Sequence, residues 1–280
     1  MESIKIISTN ENDTNIKDFL SQHGLTATLI KRVKYGGVFI NGNVVTMRAV
    51  VRRGDEVLIN LPNDVSEGIP AIDMPLDIIY EDEYMIAVNK PGNMPTHPSK
   101  GNSLPTLANG IMAYFKGEHT FRSINRLDRD TSGIVLMAKD AFSAAALSAS
   151  MKKGEFKKKY IAKVAGVLQK KEDIINLPIK REAEGEMKRI VASDGKTAIT
   201  EYKVIGEYDG YSLVEIILHT GRTHQIRVHF AHIGHPLVGD FLYGERIENE
   251  SYKLHCFQLS LPHPKTGETI VLNAKCNFDI

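Results

Sequence analysis

The 280-residue sequence predicts an α+β fold: a domain built on a mixed, mostly antiparallel sheet, preceded by a small α/β module. Three observations carry that expectation. Residues 1–62 hold two short helix-like runs followed by short strand-like phrases. A break follows in which Pro62, Pro70 and Pro75 interleave with Gly, Ser and acids, and no apolar period survives. Beyond it, short strand-like stretches mix with helix-like ones, and the later ones alternate apolar and polar residues as half-buried antiparallel strands do. The expected division is a module over 1–62, a linker over 63–75 and a larger domain over 76–280. With 42% hydrophobic and 25% charged residues, the chain can bury a real core in that arrangement.

In the module, IKDFLSQHG and TATLIKRVKYGG read as helices. Over residues 27–35, Leu29, Ile30 and Val33 share one face while Lys31, Arg32 and Lys34 spread over the other. Val38–Ile40 and Val44–Thr46 then flank Asn41-Gly42, a pair that tolerates positive φ and suits a tight hairpin turn. Arg48, Arg52 and Arg53 follow closely, so a second basic cluster lies near the first. Taken alone, a basic helix face is more often a solvated surface than a binding site.

In the larger domain, LDIIY and YMIAVNK read as strands and LPTLANGIMAYFKG as a helix; Asp140 is a good N-cap for the Ala-rich stretch after it. KTAITEYKVIGEY and YSLVEIILHT read as two antiparallel strands. Between these groups, NRLDRDTSGIVLMAK sets Arg126, Asp128, Arg129 and Asp130 directly before an apolar strand, and clustered charge leading into a buried strand marks a candidate site. Gly133 would allow a close approach or an unusual φ where that strand begins. In HTGRTHQIRVHFAHIGHPLVGDFLYG, Arg222, His224, Arg227 and His229 open a helix-like run whose Ile226, Phe230 and Ile233 share an inward face. Four histidines, at 224, 229, 232 and 235, suggest a metal site. Only His229 and His232 have helical ligand spacing, and Gly234 and Pro236 interrupt beyond them, so no metal is expected.

The net charge is +1, from 35 Lys plus Arg against 34 Asp plus Glu, so gross charge does not announce a nucleic-acid binder; such a claim must rest on local clusters. No apolar run approaches the roughly 20 residues that span a bilayer, and MESIKIISTNENDTN lacks the basic start and apolar stretch of a secretory signal. A cytoplasmic location without a membrane partner is the expectation. Cys256 and Cys276 lie far apart with no CxxC pair, which disfavours a disulfide framework and a thiolate zinc site.

Taken together, the two charged clusters resemble a known family. NRLDRDTSG and TGRTHQIRVH, with AVNKPGNMPTHPS before them, KKYIAKVAG between them, and GDFLYG and LHCFQLSLPHP after them, are similar to the RluA/RluD family of pseudouridine synthases, from about Leu76 onward and in the family's order. The module, through VFINGNVV and the following GDEV, resembles the small RNA-binding domain named after ribosomal small-subunit protein S-four, a frequent attachment to that family. The resemblance implies the pseudouridine synthase fold, RNA as partner with large-subunit ribosomal RNA favoured, and no cofactor; a monomer is expected.

Residue by residue, it implies that Asp128 is the catalytic aspartate and that Arg126 fills the space left by a flipped nucleotide or holds the RNA backbone. Tyr160 matches the tyrosine that stacks on the target base and assists proton removal, and Arg222 matches the arginine that pairs with the aspartate. Asn125 stands where many members have His and is expected to contact RNA or loop backbone. Lys31, Arg32, Lys34, Arg52 and Arg53 would carry phosphate and shape contacts to folded RNA. The run of Lys152, Lys153, Lys157, Lys158 and Lys159 before Tyr160 reads equally as an RNA contact or a solubilising surface.

Making pseudouridine breaks the bond from ribose to the ring nitrogen, turns the base and rejoins the sugar to ring carbon 5, with no exchange of electrons or phosphate. A carboxylate can serve by attacking uracil or by supporting cleavage at the sugar, and either route needs an ionised, positioned Asp128. Two enzyme alternatives share the same residues. Asp128 and Asp130 form the DxD of a haloacid dehalogenase, but that signature wants an apolar strand before the first Asp, where INRL stands, and Thr or Val where Ser132 stands. A glycosidase could use the same pair, but Trp is absent and no sugar-stacking groove is apparent. The alternative from another class is a noncatalytic RNA-binding protein in which the basic module is the function.

Overall fold

The computed structural model describes residues 3–61, 68–98, 105–117, 119–248, 250–276 and 278. At the N-terminus, β1 (Ser3–Ile7) and β2 (Thr14–Asn15) lead into α1 (Ile16–Gln22) and α2 (Ala27–Val33), and β3 (Val38–Ile40), β4 (Asn43–Val44), β5 (Val50–Val51) and β6 (Glu56–Asn60) follow. Both helices start where the sequence supplies a cap: the Asn15 side chain accepts from the Asp18 amide and Thr26 from the Leu29 amide. Such caps satisfy otherwise unpaired N–H groups and contribute about 1 kcal/mol each. Strands β1, β6, β3 and β4 form an antiparallel sheet in that order. The turn between β3 and β4 uses Asn41 and Gly42 at φ 50° and 80°, as that pair predicts. Asn41 also accepts from the Glu56 amide and donates to Asp55, tying the hairpin to β6. A core of Ile16, Phe19, Leu20, Leu29, Val33, Val57 and Ile59 joins helices to sheet, and Ala141 belongs to the same buried cluster.

Of the expected linker, 63–67 lies outside the described residues, and so does Pro62 of the module. The remainder is docked: the Pro70 carbonyl accepts from the Asn109 side chain, the Ile72 amide donates to the Asn109 carbonyl, and Met74 lies against Gly110.

The larger part runs through β7 (Ile78–Glu81), β8 (Met85–Lys90), α3 (Leu107–Tyr114), β9 (Arg122–Ser123), β10 (Ser132–Ala138), α4 (Ala141–Lys152), β11 (Lys157–Ala165) and β12 (Glu172–Asn176). A two-stranded hairpin of β13 (Ile179–Arg181) and β14 (Arg189–Val191) comes next. The chain continues with β15 (Ile199–Tyr208), β16 (Tyr211–Leu218), α5 (Gln225–His232), β17 (Leu254–Pro262) and β18 (Thr269–Asn273). Ten of these strands make one sheet in the order β12-β15-β16-β11-β17-β10-β8-β7, with β18 beside β17 and β9 beside β10. Among the described strand pairs only β10 with β17 is parallel, so the sheet is mixed and mostly antiparallel, as the alternating segments imply. Every residue of β8 and of β10 is buried, which explains why both read as continuous apolar runs. Asp140 caps α4 by accepting from the Ser143 amide. Phe230 of α5 is fully buried and packs on Tyr202 of β15, with ring centroids 5.3 Å apart. Among the described residues no helix is long and apolar enough to cross a membrane.

Two features of this sheet organise its centre. Strands β10 and β11, distant in sequence, both pair with β17, and Cys256 on β17 is the register partner of Gly133 on one side and Tyr160 on the other. The approach at Gly133 is so close that a Cβ there would stand 2.3 Å from the Cys256 carbonyl oxygen, and its φ is +110°. A register shift between Lys159 and Tyr160 kinks β11 at the same level. Such irregularities re-aim a side chain without ending the strand.

Candidate active site

Asp128 lies in the loop that enters β10, and that loop is bonded from several sides. The Thr96 hydroxyl donates to the Leu127 carbonyl and accepts from the Leu127 amide. The Arg129 carbonyl receives the Met94 amide and one of the three hydrogen bonds from the Lys90 ammonium, whose others go to the Pro91 and Met94 carbonyls. Lys90 is fully buried. Burial pushes its pKa down to about 7, against the opposite pull of Asp130 and Asp128. The loop is therefore fixed by the buried Lys90 nitrogen, which bonds three carbonyl oxygens, and Asp128 itself stays 34% exposed.

The residues that meet Asp128 come from α5 and the turn before it. Arg227 Nη1 lies 3.8 Å and His224 Nε2 3.7 Å from Asp128 Oδ2. Both are longer than a hydrogen bond and within ion-pair reach, as catalytic contacts often are before substrate tightens them. Arg227 is itself held in place: Nε and Nη2 donate to the two oxygens of Asp240 at 2.7 Å each, and the guanidinium lies against the rings of Tyr243 and Tyr252, 4.9 and 4.3 Å from their centroids. Burial alone would lower its pKa, but Asp240 outweighs it and raises the pKa above its ordinary value, so Arg227 stays charged. The Tyr252 hydroxyl, 3.1 Å from Thr131 Oγ1, closes the other side of the loop. Burial, with Asp128 adding to it, raises the Tyr252 pKa well above its ordinary value.

Tyr160 sits in β11 across β17 from the Asp128 loop. Burial first, then Cys256 and Asp128, raise its hydroxyl pKa well above the ordinary value, so it is a protonated phenol rather than a ready base.

Not every residue expected at the site is there. Arg222 is exposed and its Nε donates to the Thr197 carbonyl; the arginine that reaches Asp128 is Arg227, five residues on. The reason is local: residues 221–223 of the turn are exposed, while His224 and the start of α5 face the β10 loop. Gln225 pins that turn, accepting from Thr220 and from the Arg222 amide while donating to Ile199 and Thr200. Asn125 is only 5% exposed, and its amide donates to the Ile134 carbonyl and accepts from the Leu136 amide. It braces loop against strand through backbone groups, the second of the two contacts expected of it, RNA or loop backbone. Arg126 is exposed beside Asp128 in sequence. Asp130, 7% exposed, is engaged bidentately by Arg129.

The basic residues of the module, Lys31, Arg32, Lys34, Arg52 and Arg53, are all exposed and belong to the separate N-terminal sheet-and-helix unit; Arg52 lies 3.6 Å from Asp13. The expected polar face of α5 is also mostly inside. His229 is buried, with its ring nitrogens 2.9 Å from Thr200 Oγ1 and 2.9 Å from the Leu177 carbonyl oxygen, and His235 Nδ1 is 2.8 Å from the Ala165 carbonyl oxygen. Among the described residues no group of three or more His, Cys, Asp or Glu could hold a metal ion. The residues missing from the sequence-based site, Arg227, His224, Asp240, Tyr243 and Tyr252, lie in HQIRVH, GDFLYG and SYKLH, and only burial reveals which of their polar groups face one another.

Comparison with known proteins agrees with this geometry. Residues 84–232 match the family model described as RNA pseudouridylate synthase. The chain is 38% identical over 272 residues to the uncharacterized RNA pseudouridine synthase YjbO of Bacillus subtilis, covering 95% of this chain and 96% of that protein. It is 33% identical over 261 residues to the ribosomal large subunit pseudouridine synthase D of Pasteurella multocida, covering 86% and 80%. Among solved structures, human RNA pseudouridylate synthase domain containing 1 superposes with a TM-score of 0.62 at 30% identity, over 74% of this chain and 85% of that one. Fold, family model and full-length relatives agree, and the chain belongs to the RNA pseudouridine synthase family, enzymes that isomerise uridine within RNA.

Proposed function

We propose that this enzyme is an RluA/RluD-type synthase that modifies uridine in structured large-subunit ribosomal RNA, with Asp128 as its catalytic carboxylate. The observation that carries this reading is the meeting of three independently positioned groups at one point: the braced Asp128 loop, the Asp240-locked Arg227 and His224. Asp128 is the carboxylate there that keeps an exposed face while a fixed cation stands beside it. That carboxylate either adds to the uracil ring or supports departure of the base at the sugar; the glycosidic C–N bond breaks, the base turns, the bond to carbon 5 forms, and the proton on carbon 5 leaves last. Tyr160 offers a buried ring for the turning base. Arg126, exposed on the same loop, fits the space a flipped nucleotide vacates, a flip that costs a few kcal/mol.

Target choice rests on the relatives named ribosomal large subunit pseudouridine synthase D and on the N-terminal unit. Residues 1–62, in our reading an S-four-type domain joined by 63–75 to a catalytic domain over 76–280, present Lys31, Arg32, Lys34, Arg52 and Arg53 to solvent, as phosphate contacts require. Incubating the enzyme with unmodified large-subunit ribosomal RNA and, separately, with unmodified transfer RNA, then mapping pseudouridine, tests the assignment. Conversion confined to the ribosomal transcript is expected; conversion confined to transfer RNA would overturn the target.

A further inference from the structure

His224 occupies a position that local preference does not explain. Its φ of 58° is left-handed, which a non-glycine residue adopts at a cost, and it stands at the N-cap of α5 without making a capping hydrogen bond. Asn, Asp or Ser there would cap the helix, and Asn or Gly would relieve the backbone. What the histidine has instead is two directed partners. Its Nδ1 lies 2.8 Å from the Tyr243 hydroxyl, and its Nε2 faces Asp128.

The hydrogen-bond directions can be worked out from one fixed donor. The Arg189 backbone N–H, which can only donate, gives its hydrogen to the Tyr243 oxygen at 2.9 Å. The phenol has one hydrogen of its own, and His224 Nδ1 is the acceptor beside it. A neutral imidazole that accepts at one nitrogen carries its proton on the other. The groups facing the ring decide whether it is neutral: burial, Arg227 and Arg189 disfavour the imidazolium, and Asp128 and Asp240 favour it, with the net effect a pKa below the ordinary histidine value. We propose that His224 is a positioning residue for Asp128, a neutral imidazole locked by Tyr243 and Arg189 as the Nε2–H tautomer, with its donor turned to the carboxylate. Arg227 and His224 make their closest approaches to the same oxygen, Oδ2, so together they hold one side of the carboxylate and leave Oδ1 to react. The pair supplies one charged and one neutral donor, which fixes orientation without adding a second positive charge.

This proposal rests on Asp128 being the reacting carboxylate, and the test separates the two claims. Single-turnover pseudouridine formation is measured at saturating RNA on the transcript that the native enzyme modifies, for His224→Gln, His224→Asn, Tyr243→Phe and Asp128→Asn, alongside RNA affinity and thermal unfolding. Gln puts an amide nitrogen near the place of Nε2, whereas Asn reaches only that of Nδ1 but suits the left-handed backbone and the cap. A donor role predicts Gln within about 10-fold of native and Asn slower by about 100-fold, with affinity unchanged for both. A purely local backbone role predicts the reverse order, and Asn equal to or faster than Gln overturns the proposal. If the Gln variant fails to fold, Tyr243→Phe decides: freeing the tautomer should slow the reaction about 10-fold, and a native rate overturns the proposal. Asp128→Asn inactive with Asn at or above Gln sinks His224 alone; an active Asp128→Asn overturns both claims.

Discussion

A guanidinium that donates two 2.7 Å hydrogen bonds to a carboxylate with a fully buried side chain cannot be removed without stranding that carboxylate. Arg227→Ala is therefore expected to destabilise the fold by about 3–5 kcal/mol, the penalty for an uncompensated buried charge. Arg227→Lys keeps a charge but loses the fork and the aromatic contacts, and should cut the rate sharply where Arg222→Ala does not. Chemical denaturation and single-turnover rates check both. A stable, active Arg227→Ala beside an inactive Arg222→Ala would restore Arg222 to the site. At this scale the sequence displayed the charged cluster around Asp128 before a buried strand as a contiguous signal, whereas it singled out Tyr160 only through the resemblance carried by KKYIAKV. It misplaced the arginine because Arg222 and Arg227 share one motif, and the choice between them depends on where α5 begins. For Asn125 both contacts, RNA and backbone, were open, because nothing in NRLD says whether an amide turns to solvent or to the strand behind it.

At the level of elements, the site depends on how closely β10 approaches β17. Gly133→Ala would place a methyl 2.3 Å from the Cys256 carbonyl oxygen at φ +110°, so backbone must shift. The expected loss is at least about 3 kcal/mol, from strain and overpacking together. Because β17 also carries the register of Tyr160, the displacement should slow the reaction even in molecules that remain folded. A Gly133→Ala protein with native denaturation midpoint and rate would refute this account of the sheet centre. Hairpin and helix starts were legible beforehand, since Asn41-Gly42, Asp140 and the apolar face of α5 act within a few residues. The small β13–β14 hairpin was not legible: three-residue strands carry too little alternation, and it is fixed by α5 and Tyr243, far along the chain.

Across the whole molecule, buried neutral histidines tie folding to pH. Burial depresses the pKa of His229 and His255 below the ordinary 6.5, and both rings are bonded in the neutral form. Below pH 6.5 the unfolded chain takes up protons that the folded one refuses. The histidines' contribution to stability is thus fully present above pH 6.5 and falls as pH drops from there, by up to about 1.4 kcal/mol per unit per histidine. A melting temperature that stays flat or rises between pH 6.5 and 5 would contradict this. The N-terminal unit contributes through its charges instead. Replacing Lys31, Arg32, Arg52 and Arg53 with Ser should weaken RNA binding and flatten its salt dependence, by about one unit of slope for each phosphate no longer neutralised, while sparing the rate at saturation. An unchanged slope would remove the unit from the RNA interface. The fold class, mixed and mostly antiparallel, was readable because alternating strands declare one solvated face. The docking of residues 68–75 on α3 was not, since a proline-rich stretch looks the same whether tethered or packed.

The central claim is that Asp128 performs the chemistry, and one comparison tests it most directly. Asp128→Asn keeps the shape of the side chain and removes its charge, so single-turnover pseudouridine formation should fall at least ~10⁴-fold, about 5.5 kcal/mol of barrier, with RNA affinity largely retained. Asp130→Asn, which loosens the Arg129 contact without touching the reacting group, should remain active. An active Asp128→Asn enzyme beside an inactive Asp130→Asn enzyme would contradict the account.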